Sequence, residues 1–264
     1  MNQPSHESCE RLSPSVFRRF INTNIAASRA LDRLLPAHLR RDGNTDFRDR
    51  LAPAMIPTDA VVFDLGGGSR PFIDPETKAE RGLFVTGLDI DGAELERAPS
   101  GAYDRTVVAD LTTFRGEGDA AMAICQATLE HVKDNRGAVA AIASCLKPGG
   151  HACLFAPGRN ALFAILNRVL PEGPKQRLLF AVFPHKAQGH DGFPAYYDHC
   201  TPKRMERLFA ANGLEVVERR LYWTSSYFFA FTPAYLAWRA YQALAYGLVR
   251  HDAAETFAYL LRKR

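Results

Sequence analysis

Cysteine is scarce in this chain of 264 residues: the five (Cys9, Cys125, Cys145, Cys153 and Cys200) are an odd number, and no two have C-x-x-C spacing. That excludes a disulfide scaffold and a structural zinc site. It points instead to reduced, mostly buried thiols of a cytosolic protein. Long apolar runs are missing too. The nearest, Tyr227–Val249, is broken by Pro233 and Arg239, so a membrane-spanning helix is disfavoured. The opening residues MNQPSHESCERLSPS are polar and lack an apolar h-region, so no secretory signal is expected. Neither sign of charge dominates: 33 basic and 29 acidic residues leave a net +4, short of the clustered excess of a dedicated nucleic-acid binder. Internal repeats, low-complexity tracts and metal-ligand spacings are likewise not found. With 47% apolar and 23% charged residues, a chain of this length buries a sizeable core without staples.

Two regions differ in pattern. The first 60 residues read as helical, with Phe17, Phe20, Ile21, Ile25, Ala30, Leu31, Leu34 and Leu35 forming a stripe before Pro36. From residue 60, short apolar runs take over: Ala60–Leu65, Leu83–Leu88, Arg105–Ala109, Ala120–Cys125 and His151–Ala156. They are continuously apolar, as strands of a sheet covered on both faces must be. Helical stretches separate several of them; Asn135–Leu146 is closed by Lys147-Pro148-Gly149-Gly150. Strand and helix in alternation predict a doubly wound, mostly parallel α/β sheet of seven strands with helices on both faces. Thr201-Pro202 opens a further helix with Thr as N-cap, and Leu214–Leu221 is a sixth strand. Ser225–Arg250 is expected to be a helical insertion, and Thr256–Leu261 a last strand at the sheet edge.

Acidic residues stand at the carboxyl ends of three predicted strands, where open α/β sheets bind ligands. The loop Asp64-Leu65-Gly66-Gly67-Gly68-Ser69 is glycine-rich, which lets backbone turn tightly and approach a ligand closely. Asp89, with Ile90 beside it, ends the second strand; its carboxylate can accept both hydroxyls of a ribose. Asp110 ends the third and suits an exocyclic amine. Together these imply an adenosine-containing ligand. A dinucleotide-binding dehydrogenase needs G-x-G-x-x-G with helix N–H groups on a pyrophosphate. Here the third position past Gly68 is Pro71, which has no N–H.

The ordered segments VVFDLGGGS (61–69), GLDID (87–91), VVADL (107–111), QATLEHV (126–132) and LKPGGHACLFAPG (146–158) resemble the motifs of the class I S-adenosylmethionine-dependent methyltransferases. The resemblance covers about residues 58–158 and the last two strands. It implies S-adenosyl-L-methionine as cofactor. Asp64, Gly66 and Gly68 would shape the methionine side of its pocket, Asp89 and Ile90 the ribose, Asp110 and Leu111 the adenine. Gln126 and Ala127 would lie beside the sulfonium. One departure is Arg70-Pro71 where the family usually has a third glycine, which would reshape the start of the next helix. The domain reading is an N-terminal helical cap, 1–57, and a methyltransferase domain, 58–264, with insertions at 157–200 and 225–250.

The implied chemistry is methyl transfer to a small-molecule or lipid-linked acceptor, at oxygen. Placement carries most of the rate, and a hydroxyl acceptor also needs a base. The candidates for that work are His131, His190 and Tyr197, with His185, His199 and Tyr196 nearby in sequence. The segment 225–250 is open to three readings: a buried lid, a homodimer contact, or a peripheral membrane contact with Arg219, Arg220, Arg239 and Arg250 near lipid phosphates. Nucleic acid is not an expected partner, and a cytoplasmic, membrane-associated location fits. The alternatives are methylation of a macromolecule and a non-catalytic partner subunit that binds the cofactor.

Overall fold

The computed structural model describes residues 14–170 and 194–264. His185, His190 and Cys9 lie outside the described residues. Seven strands form one sheet: β1 (Val61–Leu65), β2 (Phe84–Asp89), β3 (Arg105–Val108), β4 (Ala120–Gln126), β5 (Leu146–Pro157), β6 (Leu214–Tyr222) and β7 (Thr256–Lys263), in the order β3-β2-β1-β4-β5-β7-β6. The first five run parallel. β7 is antiparallel to both neighbours, β5 and β6. The order reverses between β1 and β4, which creates the crevice where such sheets take ligands.

The expected edge position of the last strand is corrected: β7 is interior and β6 is the edge. Burial gives the reason. Phe257 through Leu261 are buried without a break, whereas the residues of β6 between Leu214 and Tyr222 stay partly or fully exposed. A continuously apolar strand belongs in the interior of a covered sheet.

Strand residues alternate between two apolar clusters, as the pleat requires. On one face Phe63, Leu65, Ala123, Cys125 and Leu154 pack with α5 (Asn135–Cys145) and α7 (Pro202–Ala211). On the other, Val62, Val85, Met122, Ile124, Cys153 and Phe155 pack with Phe47, Leu51 and Ala52. Phe47 and Leu51 open and close a wide helical turn, Phe47–Leu51, just after α2 (Gly43–Asp46), and Ala52 is its C-cap. The cysteines Cys125, Cys145, Cys153 and Cys200 are buried free thiols.

Two local expectations also change. Helix α5 stops at Cys145, one residue early, because Leu146 already pairs with Ala120 and a bulge carries the chain to His151 opposite Met122. Thr201 does precede α7, with Pro202 first, but its hydroxyl makes no capping bond. The N–H it would have reached, that of Lys203, is taken by the Asp252 carboxylate at 2.8 Å.

The remaining helices are α1 (Pro14–Asp32), α3 (Pro75–Glu80), α4 (Gly92–Glu96), α6 (Leu162–Val169) and α8 (Thr232–Val249). Helix α8 packs on α1 and α6. Asn24 and Ser28 bond Thr232, and Asp32 accepts from Tyr235.

Candidate cofactor and acceptor site

The site is assembled by strand ends. In register, Asp64 of β1 lies beside Gly87 of β2, and Asp89 beside Val108 of β3, so Asp64, Asp89 and Asp110 sit on one rim of the sheet. The glycine loop bends sharply there. Gly66 has φ +77°, and a Cβ on it would stand 2.3 Å from the Thr128 hydroxyl; Gly68 has φ +51°, and its Cβ would stand 3.1 Å from Asp89 Oδ2. Both positions need glycine twice over, for conformation and for space. The cradle facing the Asp89 carboxylate is therefore kept open by the bare backbone of Gly68.

Asp64 faces inward. Its Oδ2 accepts the Phe72 N–H at 2.7 Å. The Tyr103 hydroxyl lies 3.3 Å from that oxygen and 3.2 Å from the Gly68 carbonyl. Burial lifts the carboxyl to about 6 against the pull of these hydrogen bonds. Asp64 thus braces the loop. Asp89 is half-buried and accepts the Asp91 N–H at 3.0 Å; burial raises its carboxyl above the usual value. Ile90, next in sequence, and Val108, its partner in register on β3, are both largely exposed. Asp110 is exposed and accepts the Thr112 N–H at 2.8 Å, while Leu111 is buried behind it.

The rim continues at the end of β4. The Gln126 side-chain amide donates to Asn44 at 2.7 Å, fastening residues before β1 across the crevice mouth. Ala127 has φ +51°, a left-handed conformation that a residue with a Cβ adopts at a cost of about 1–3 kcal/mol. A short 3-10 turn, Leu129–His131, comes next. Glu130 is buried with one carboxyl oxygen lacking a partner, and burial pushes it up to about 8. His131 is half-exposed; its Nε2 lies 3.8 Å from Glu130 Oε1, and its Nδ1 lies 3.2 Å from the Pro194 carbonyl.

A sequence profile of a methyltransferase domain matches residues 37–219, well over half of the chain. The chain belongs to this family. Among sequence relatives, the ubiquinone biosynthesis O-methyltransferase of Cupriavidus pinatubonensis is 28% identical over 60% of this chain and 61% of its own length. The enzyme of the same name from Saccharophagus degradans is 34% identical over 42% of this chain and 53% of its own length. The matches thus span little more than half the length of these relatives. Among solved structures, an S-adenosylmethionine-dependent methyltransferase from Mesorhizobium loti aligns with a TM-score of 0.53 at 18% identity, covering 82% of this chain and 98% of that one. The sheet order and its antiparallel β7 are those of a Rossmann-like methyltransferase fold of class I.

In this methyltransferase, the strand-end residues named from sequence all lie on one rim, and His131 lies on the loop next along it. Tyr197 is elsewhere in character: buried, with φ +52°, its N–H on the Glu130 carbonyl at 3.0 Å. Burial pushes its phenol up to about 12, so it stays protonated at neutral pH. His199 pairs with Asp198 at 2.8 Å, and Asp198 in turn accepts the Asn135 N–H at 2.9 Å at the start of α5. Tyr103, Thr128 and Val108 were not foreseen. They carry no motif; each matters through a contact made across the chain. Past Arg70-Pro71 the chain runs irregularly to Asp74, whose carboxylate accepts the Thr77 N–H, and α3 begins at Pro75.

The flanking arginines of 225–250 are not poised for lipid phosphates as a set. Arg239 bonds Asp32, Gln242 and the Trp223 carbonyl and stacks over Trp238 at 4.2 Å. Arg220 pairs with Asp46 and Glu218, and Arg219 with Glu206. A sequence shows how many cations flank an apolar stretch, but not which of them already have carboxylates.

Proposed function

We propose that this protein transfers the methyl group of S-adenosylmethionine to a hydroxyl oxygen of a small-molecule or lipid-linked acceptor. The observation that carries the cofactor half is the half-buried Asp89 carboxylate at the end of β2 facing bare Gly68 of the loop after β1, with exposed Ile90 and Val108 beside it. Such a site offers a diol its acceptor and a base its apolar walls. Bound there, S-adenosylmethionine supplies an already activated methyl, so the protein's work is alignment and proton removal. The oxygen acceptor is supported by the names of the sequence relatives.

His131 is the proposed base. With its Nδ1–H donated to the Pro194 carbonyl, the lone pair stays on Nε2, the form that accepts a proton. Glu130 lies 3.8 Å from that nitrogen. Ala127 and Gln126 set the rim on which acceptor and methyl meet, and Tyr197 holds the loop behind them.

Calorimetric titration with S-adenosylhomocysteine, with NAD as control, tests the reading. Micromolar binding of the first alone is expected, lost by at least tenfold in Asp89→Ala with an unchanged melting profile. Preferred NAD binding overturns the family's cofactor at this site. With labelled cofactor and a cell extract, label should enter the small-molecule or lipid fraction. His131→Gln should slow that transfer about 10²–10⁴-fold without weakening cofactor binding. Label in protein or nucleic acid would overturn the acceptor class.

A further inference from the structure

Among the described residues, the loop after β5 and helix α6 carry two guanidiniums that no carboxylate meets. Elsewhere the fold neutralises such groups: Arg97 holds Glu94, Arg219 holds Glu206, Arg220 holds Asp46 and Glu218, and Arg239 holds Asp32. Arg159, two residues past the end of β5, and Arg168, on α6, bond only backbone carbonyls. Arg159 Nη1 donates to Tyr197 at 2.9 Å and to Tyr196 at 3.3 Å. Arg168 donates from Nε to Ala164 at 3.2 Å and from Nη2 to the carbonyl of Arg159 itself at 2.8 Å. That last bond makes the two cations neighbours. Partial burial, and then the Arg159 charge, pull Arg168 below the ordinary arginine value.

Like charges side by side repel, and arginine cannot shed its proton to relieve this. An anion can relieve it, and each guanidinium has spent only part of its five N–H donors. The acids of the neighbouring loops are engaged otherwise. Asp198 pairs with His199 and accepts the Asn135 N–H. Asp134 accepts the Arg136 N–H at the start of α5, and buried Glu130 holds a proton up to about pH 8.

The pair stands next to the proposed base. Tyr197 alone spans the gap to the loop after β4: its N–H meets the Glu130 carbonyl at 3.0 Å, and its carbonyl meets Arg159. The same segment reaches His131 through the Pro194 carbonyl. Arg168 lies over the Tyr197 ring, 5.9 Å from its centre, and Lys133 over the ring of Tyr196 at 5.5 Å. The rim beside His131 is thus positive and aromatic.

We propose that Arg159 and Arg168 form a subsite for an oxyanion, a carboxylate or a phosphate, carried by the methyl acceptor. Planar guanidinium forks suit both groups. The acceptor is then an anionic hydroxyl compound, anchored by its charge while its hydroxyl faces His131. Calling the ligand the acceptor rests on the methyl-transfer reading; oxyanion binding itself does not.

Calorimetric titration of the full chain, saturated with S-adenosylhomocysteine at about 0.15 M salt, with benzoate, phenyl phosphate and phenol is the test. The probes share a ring and differ in charge. At least one anion should bind about tenfold or more tightly than phenol, and the tighter of the two identifies the group. Arg168→Gln should remove that preference, as should Arg159→Gln. Arg159→Lys, which keeps the charge without the fork, should retain only part of it. Arg168 is exposed, so its variant should fold and bind S-adenosylhomocysteine like the wild type. In the extract assay the labelled product should be retained by an anion-exchange resin. Equal binding of the three probes, an anion preference that survives Arg168→Gln, or a labelled product that passes the resin would overturn the subsite and leave methyl transfer standing. Should S-adenosylhomocysteine itself not bind, the methyl-transfer reading falls, and the same titration without it still decides whether the arginines hold an oxyanion.

Discussion

Burial holds a proton on Glu130 up to about pH 8, and the same cause lifts Glu255 to about 7 and Asp64 to about 6. Each is an acid whose folded value lies above its unfolded one. Between the two values the folded chain binds protons that the unfolded chain has released, so stability falls as pH rises through that window. For Glu130 the window runs from 4.5 to about 8. Gln copies the protonated form, so Glu130→Gln should melt progressively higher than the wild type as pH is raised across it. Thermal melts at several pH values check this; a gap independent of pH would refute it. At this scale the sequence was partly readable. Asp64, Asp89 and Asp110 announce themselves because strand ends are where ligands bind. Glu130 does not: its neighbour His131 looks the more reactive, and burial alone marks the carboxyl. Tyr103 could not be found either, since its value lies in reaching Asp64 from 39 positions away.

Among the elements, α8 shows best what pattern reading misses. Its composition says apolar on every side, and that is nearly so. Which side turns inward is decided by one pair, Arg239 and Asp32, from helices about 200 residues apart in sequence. Both side chains are almost entirely buried, and the guanidinium also covers the Trp238 ring. Trp238 itself donates to the buried Glu255 at 2.7 Å. Removing one member of such a pair strands the other, at about 3–5 kcal/mol. Asp32→Ala should therefore lower the melting temperature by several degrees for each kcal/mol lost. Adding Arg239→Met should restore part of it, because the orphan charge is then gone. Equal melting of the single variant and the wild type would show that the pair contributes nothing.

For the molecule as a whole, the segment before β1 completes the second face of the sheet. Phe47 is fully buried against Phe72 and Phe155, and the buried Asp46 binds both Arg220 and Tyr222 of the far edge strand. Phe47→Ala should cost about 3–5 kcal/mol, read from denaturant midpoints. A chain begun at residue 58 should show no cooperative melt. The doubly wound core was legible because its strands are continuously apolar and its punctuation is glycine and proline. The order of the last two strands was expected the wrong way round, although Leu214–Leu221 carries four charged residues and Thr256–Leu261 none: the last strand in sequence is not the last in the sheet.

That order sets a timetable. β6 is made before β7, but it reaches the sheet only through β7, which bonds it on one side and β5 on the other. On a ribosome, the edge strand must wait while residues 223–255, with the bare helix α8 among them, emerge. The sheet then closes only when β7 itself is made. Until it does, β5 and β6 both offer open edges to any other nascent chain.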